Sequence, residues 1–202
     1  MGVGIVSAGS IVSWGEDYGS SPEGNDFIDI SAGPFFSLAL RSNGSIVGWG
    51  IPFNDVGQTS PPQGNDFIDI AAGGEFALAL RSNGSIVGWG NDYFGQASPP
   101  EGFYTAIAAG ATHGLALRSD GSIVEFGTGS NPPEGNDFVA IAAGNGHSIA
   151  LRSNGSIVGW GNYYTGPISP PEGNNFISIA GGGYENAALR SDGSIVSWGQ
   201  HV

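Results

Sequence analysis

Short apolar runs, each ended by glycine, set the pattern of this chain. Around residue 80, the run 67–72 ends in Ala71-Ala72-Gly73, the run 76–80 alternates large and small as Phe-Ala-Leu-Ala-Leu, and the run 85–89 ends before Gly90. None is long enough for a helix of 3.6-residue period, and each is bounded by turn formers, so each predicts a β-strand. The second and third are joined by Arg81-Ser82-Asn83-Gly84. An Asn-Gly step supplies two residues that tolerate positive φ, as a tight hairpin requires. Asp120-Gly121 and Asp192-Gly193 play the same part.

The pattern recurs. Gly-Ser-Ile-Val begins at Gly9, Gly44, Gly84, Gly121, Gly155 and Gly193, at spacings of 35, 40, 37, 34 and 38 residues. The segment 39–50 recurs without change at 79–90 and 150–161, which points to duplication of one unit. The unit is a three-stranded antiparallel sheet, strands A, B and C, and one such sheet cannot bury its own faces. A ring of sheets can, and it leaves only short, protected edges. The predicted fold is therefore an all-β propeller of short three-stranded antiparallel blades. Strand A ends in small residues (Ser31-Ala32-Gly33, Ala71-Ala72-Gly73, Ala108-Ala109-Gly110, Ala142-Ala143-Gly144, Ala180-Gly181-Gly182) and is placed innermost. The column Trp14, Trp49, Trp89, Phe126, Trp160 and Trp198 lies on outer strand C, where it fills the gap between blades.

With three strands the chain finishes each blade on the wrong face for the next strand A. The connectors, 10 to 16 residues long, must run back across the blade. Their Ser-Pro-Pro-Glu-Gly runs at 98–102 and 169–173 suit an extended path without ladder bonds. The chain reads as one domain, 1–202, with a partial blade at 1–15 and repeats near 16–50, 51–90, 91–127, 128–161 and 162–199. Six blades with the first truncated is the favoured count; five plus an accessory hairpin is the alternative. A monomer is expected, or a homo-oligomer if the ring is incomplete.

Composition narrows the function. Hydrophobic residues make up 40% of the chain, so its many glycines and prolines mark turns rather than disorder. There is no cysteine, hence no disulfide and no thiolate metal site. Eighteen acids against five arginines and no lysine give a net charge of −13. That opposes nucleic acid and anionic membranes and suits a protein partner with a basic surface. No signal peptide or membrane span is visible in the sequence.

The run Ala-Gly-Asn145-Gly146-His147-Ser-Ile-Ala-Leu, followed by Ile-Val-Gly-Trp160-Gly161, resembles the regulator of chromosome condensation repeat family. Within it, blade length and the stretch from Trp89 to Gln96 with Pro99 are similar to propellers of the β-lactamase-inhibitor protein II type. That resemblance implies a protein-binding propeller and, more finely, an enzyme inhibitor. Nucleotide exchange is not expected, because these blades are short and the chain is acidic.

No catalytic constellation stands out, and neither an enzyme activity, a cofactor nor a metal is expected. His113 and His147 share a repeat column with Phe36, Phe76 and Glu185, which marks packing. The column Arg41, Arg81, Arg118, Arg152 and Arg190 closes strand B once per blade and predicts a structural bond to a neighbouring connector; an anion-binding ring is the alternative. Asn43, Asn83 and Asn154 begin formal glycosylation sequons that double as hairpin turns. By the topology, the near-invariant Ser-Asn/Asp-Gly turns share one face, and the A–B turns and connector starts share the other. The second set varies and is rich in aromatics. Tyr18, Phe35, Phe53, Glu75, Tyr93, Phe94, Thr112, Tyr163, Tyr164 and Tyr184 are its candidate partner-binding residues. A lectin-like carbohydrate module and a ligand-free structural scaffold are the alternatives.

Overall fold

The computed structural model describes residues 2–6, 9–14, 19–50, 56–161 and 169–199. Every regular element among them is a β-strand, and the strands fall into six antiparallel sheets in chain order. The first sheet pairs β1 (Gly2–Val6) with β2 (Ser10–Trp14). The second holds β3 (Phe27–Ala32), β4 (Phe36–Arg41) and β5 (Ile46–Gly50), and the third β6 (Phe67–Ala72), β7 (Phe76–Arg81) and β8 (Ile86–Gly90). The fourth holds β9 (Tyr104–Ala109), β10 (His113–Arg118) and β11 (Ile123–Gly127). The fifth holds β12 (Phe138–Ala143), β13 (His147–Arg152) and β14 (Ile157–Gly161), and the sixth β15 (Phe176–Gly181), β16 (Glu185–Arg190) and β17 (Ile195–Gly199). The middle strand of each triple is the B strand. β1 takes the B position of the first sheet, since it packs on β3 as β4 packs on β6. The two described strands of the first sheet thus stand in the B and C positions.

The A strands β3, β6, β9, β12 and β15 pack against one another from sheet to sheet, as innermost strands must. Extensive packing among the described residues runs between successive sheets, and the first and last sheets share none of comparable extent.

The cohesion lies between the sheets. Alternation along strand B sends Phe36, Leu38 and Leu40 forward onto Phe67, Ile70, Ala77 and Ala79 of the next sheet. Phe76, Leu78 and Leu80 pack likewise on Tyr104, Ile107, Ala116 and Phe126, and Leu115 and Leu117 on Phe138, Ala150 and Trp160. Large side chains point forward and small ones backward, so both faces of β4, β7, β10 and β13 are dry. Burying one such Leu or Phe is worth about 1.5–3 kcal/mol. Phe126 and Trp160 close these interfaces at their outer edge, as the column predicts.

Backbone bonds pin the sheets at both ends. At one end the first residue of each A strand donates its N–H to the hairpin glycine of the preceding sheet: Phe27 to Gly9 (3.2 Å), Phe67 to Gly44 (3.2 Å), Tyr104 to Gly84 (2.8 Å), Phe138 to Gly121 (3.2 Å) and Phe176 to Gly155 (3.1 Å). At the other end the A–B turns are linked by Gly74 N–H to Gly110 O (3.2 Å), Ala111 to Gly144 (3.3 Å) and Asn145 to Gly183 (3.0 Å).

Each A strand also bulges at its second residue, Ile28, Ile68, Thr105, Val139 or Ile177, which has no partner on strand B. The bulge turns Ile28, Ile68, Val139 and Ile177 outward, leaving them 54–59% exposed on the hairpin-turn end. Nothing in the repeat pattern announced this apolar ring.

Two predictions follow from these contacts. Gly121 and Gly193 occupy the same hairpin position at φ +82° and +86°, but a methyl at Gly121 would lie 2.3 Å from the Asn136 carbonyl oxygen, whereas Gly193 has open space. Gly193→Ala carries only the left-handed strain, on the order of 1–2 kcal/mol. Gly121→Ala adds an inter-sheet collision and lowers the urea unfolding midpoint further. Second, burial and the neighbouring Asp29 carboxylate push the Asp69 pKa up to about 6, against the hydrogen bonds from the Ile70 and Ile107 amides. The folded state then holds a proton that the unfolded chain has released between its ordinary 3.8 and about 6, so stability falls as pH rises through that window. Asp69→Asn raises the thermal unfolding midpoint at pH 7 and leaves it unchanged below about pH 3.8.

Candidate functional site

The end of the stack opposite the hairpin turns is assembled from the A–B turns and the connectors that leave strand C. The two are tied together in the third and fourth sheets: Asn91 N–H donates to the Glu75 carbonyl (2.8 Å) and Thr128 N–H to that of Thr112 (3.0 Å). Phe35, Glu75, Thr112 and Tyr184 occupy the A–B turns of the second, third, fourth and sixth sheets on this end, and Tyr93 and Phe94 sit just past β8 beside them. Tyr93 is 84% exposed, Phe94 51%, Tyr184 45% and Phe35 39%. Tyr18, Phe53, Tyr163 and Tyr164 lie outside the described residues.

The loop that carries Tyr93 and Phe94 is built to hold its shape. Tyr93 N–H donates to Asn91 Oδ1 (2.9 Å), Phe94 N–H to Gln96 Oε1 (2.8 Å), Ala97 N–H to Asp92 Oδ1 (2.8 Å) and Ser98 Oγ to Asp92 Oδ2 (2.6 Å). The two rings meet edge to face with centroids 4.9 Å apart. A polar loop satisfied from within can afford to leave its aromatics in solvent, already ordered for contact. Glu75 accepts from Asn91 Nδ2 (2.9 Å), which joins it to this loop. Tyr184 accepts from Asn145 Nδ2 of the preceding sheet (3.0 Å), and the hydroxyls of Thr112 and Thr128 lie 2.6 Å apart. The candidates thus form two groups, one around Tyr93 and one around Thr112 and Tyr184, with Phe35 a sheet away from the first.

The histidine column is packing, as its sharing with phenylalanine predicts. His113 and His147 are buried, and each bonds through Nε2 to the next sheet, His113 to Ser148 Oγ (3.0 Å) and His147 to Asn186 Oδ1 (2.9 Å). Burial, aided by His147, holds the His113 pKa down to about 4, so its imidazole is neutral near pH 7. The arginines also do structural work. Arg41, Arg81 and Arg152 pair with Asp26, Asp66 and Asp137 at the connector ends and lie over the rings of Phe27, Phe67 and Phe138. Arg118 and Arg190 keep the ring contact, over Tyr104 and Phe176, but Phe103 and Asn175 stand where the carboxylate would be.

A feature of the same end escaped the sequence reading. Between the fourth and fifth sheets a half-open cleft of about 340 Å³ is lined by Thr112, His113, Glu125, Thr128, Ser130 and Asn145, among others. Its signal in the sequence is Glu125, standing where the repeat has Gly48, Gly88, Gly159 and Ser197, together with the shortest connector, 128–137. No group of three or more metal-ligating side chains occurs among the described residues, and none of their elements is a helix able to cross a membrane.

Residues 27–58, 67–96 and 138–162 match the family model of the regulator of chromosome condensation (RCC1) repeat. A search of curated protein sequences finds no match. Among solved structures, the chain is similar to the CRINKLY WD40 ectodomain of the Arabidopsis thaliana receptor kinase ACR4, at TM-score 0.71 and 24% identity over 86% of this chain and 63% of that one. It is similar to yeast RCC1 (Prp20) in its structure with Kap60, at TM-score 0.69 and 21% identity over 85% and 55% of the two chains. It is also similar to Prp20p from Saccharomyces cerevisiae, in a structure reported with its binding to Gsp1p and histones, at TM-score 0.70 and 20% identity over 86% and 58%. The chain thus spans about 55–63% of the length of these relatives in fold. The chain therefore folds as an all-β propeller like those of RCC1, and three of its segments match the RCC1 repeat.

Proposed function

We propose that this propeller is a non-catalytic protein-binding module whose A–B turn end docks a protein partner with a basic surface. The observation that carries the reading is the contrast between its two ends. The hairpin turns are almost the same in every unit, whereas the loops at the opposite end differ in sequence and length and expose Tyr93, Phe94, Tyr184 and Phe35. Aromatics of this kind supply most of the energy of protein interfaces when they are held in place beforehand. The net charge of −13 favours encounter with a cationic surface. Prp20p, described for its binding to Gsp1p and histones, lends the reading support from the same fold. Enzyme inhibition, as a finer form of this function, stands on the resemblance of the stretch from Trp89 to Gln96 alone.

Capture of partners from a lysate of the source cells by the immobilised chain, compared with a variant carrying Ala at Tyr93, Phe94, Tyr163 and Tyr164, tests the proposal. The expected result is a variant with an unaltered unfolding midpoint that retains less than about a tenth of the captured partner, the loss of at least one interface anchor at ≥ 1.4 kcal/mol. Equal capture by both proteins refutes the assignment of this face.

A further inference from the structure

The cleft between the fourth and fifth sheets exists because two repeat columns change together. In the earlier connectors Gln58 and Gln96 are buried side chains wedged against the next sheet. The Gln58 Cβ comes to 3.2 Å from where a Cβ would stand at Gly90, and the Gln96 Cβ to 3.0 Å at Gly127. The corresponding glycine of the fifth sheet, Gly161, faces the cleft instead, since connector 128–137 contains no glutamine.

The floor changes in step. Connector backbone covers Gly48 and Gly88 so closely that a methyl there would lie 2.6 Å from the Thr59 carbonyl oxygen and 2.2 Å from that of Ala97. The fourth sheet carries Glu125 at this position, and the carboxylate reaches into the space. It also takes over a duty of the absent backbone: the Trp89 indole N–H donates to the Gln58 carbonyl (3.0 Å), whereas the Trp160 indole N–H donates to Glu125 Oε2 (3.0 Å). Glu125 Oε1 accepts from Ser148 Oγ (3.1 Å).

Both donors are neutral, and the Glu125 side chain is only 4% exposed. Its nearest basic group is His113, whose Nε2 lies 3.9 Å from Oε1 and which burial keeps uncharged. The arginines that form ion pairs in the described residues all pair elsewhere, and the chain has no lysine. Desolvation accordingly raises the Glu125 pKa, an energetic cost that a counter-charge in the cleft would remove. The walls offer further acceptors in the hydroxyls of Thr112, Thr128 and Ser130 and the amide of Asn145. A donor-rich cation fits this set, since each carboxylate oxygen has a lone pair beyond the bond already described.

We propose that this cleft is a binding site for one basic side chain, a guanidinium or ammonium group that enters between the fourth and fifth sheets and pairs with Glu125. That the side chain belongs to a protein partner rests on the function proposed above; the chemistry of the cleft does not. The volume of about 340 Å³ is at the small end of ligand sites, right for one side chain and too small for a folded segment.

The test is calorimetric titration of the full chain with N-acetyl-arginine amide, N-acetyl-lysine amide and, as the neutral counterpart, N-acetyl-glutamine amide. Saturable binding of a cationic probe, at least tenfold tighter than the glutamine amide and weakened at least tenfold by Glu125→Gln, is the expected result. A second variant, Ser130→Arg, sets a tethered guanidinium beside the cleft; it should abolish probe binding and raise the unfolding midpoint, and it serves even if Glu125→Gln fails to fold. No saturable binding of either cation, equal binding of the glutamine amide, or undiminished binding to Ser130→Arg would overturn the proposal. Because the probes are small molecules, a cleft that fails this test leaves the aromatic face standing, and failed partner capture leaves the cleft standing.

Discussion

A three-stranded sheet of five- and six-residue strands has two apolar faces and too little of itself to cover either, so every sheet here depends on the next. The dependence is carried by strand B. Phe76, Leu78 and Leu80 of β7 point forward into the following sheet, and Ala77 and Ala79 of the same strand leave room for Phe36, Leu38 and Leu40 of the preceding one. Large against small at each interface gives close packing without overfilling, and the same two columns serve every interface. The backbone bonds from each A strand to the hairpin glycine before it lock the relative height of the sheets.

This arrangement explains why the two ends of the molecule differ. The hairpin turn must present a left-handed glycine whose carbonyl meets the next sheet, and duplication has preserved it. The A–B turn end is joined through backbone groups, as in Gly74 to Gly110 and Ala111 to Gly144, which constrain side chains little, and by the side-chain bond from Asn145 to Tyr184. Loops there are free to diverge, and the most ordered of them, around Asp92, presents Tyr93 and Phe94 on a network of its own bonds. The cleft at Glu125 has the same origin: shortening one connector removes a glutamine and a covering carbonyl, and one substitution in β11 compensates for the carbonyl but not for the volume.

What the sequence disclosed, and what it withheld, follows from this. Strands, hairpins, the inner position of strand A and the outer Trp column were legible because each rests on local pattern or on identity between units. The pairing of Arg41, Arg81 and Arg152 with connector acids was legible from regularity alone, although the partners Asp26, Asp66 and Asp137 were not named. The bulges that expose Ile28, Ile68, Val139 and Ile177 were not, because a single extra residue reverses which face an apolar side chain takes. Asp69 was missed because its raised pKa comes from burial between sheets, with the Asp29 carboxylate of the neighbouring sheet adding to it. Glu125 was visible as an exception in its column, but its meaning required knowing that the same space is filled by Gln58 and Gln96 in other sheets.

The central claim is that each sheet is stable only as part of a pair. Hydrogen exchange of the B-strand amides in an Ala79→Leu variant addresses it directly, since residue 79 is the small side chain of β7 that receives the side chains of β4. Faster exchange in both β4 and β7 is the predicted result. Acceleration confined to β7, with β4 as protected as in the native chain, would contradict the account.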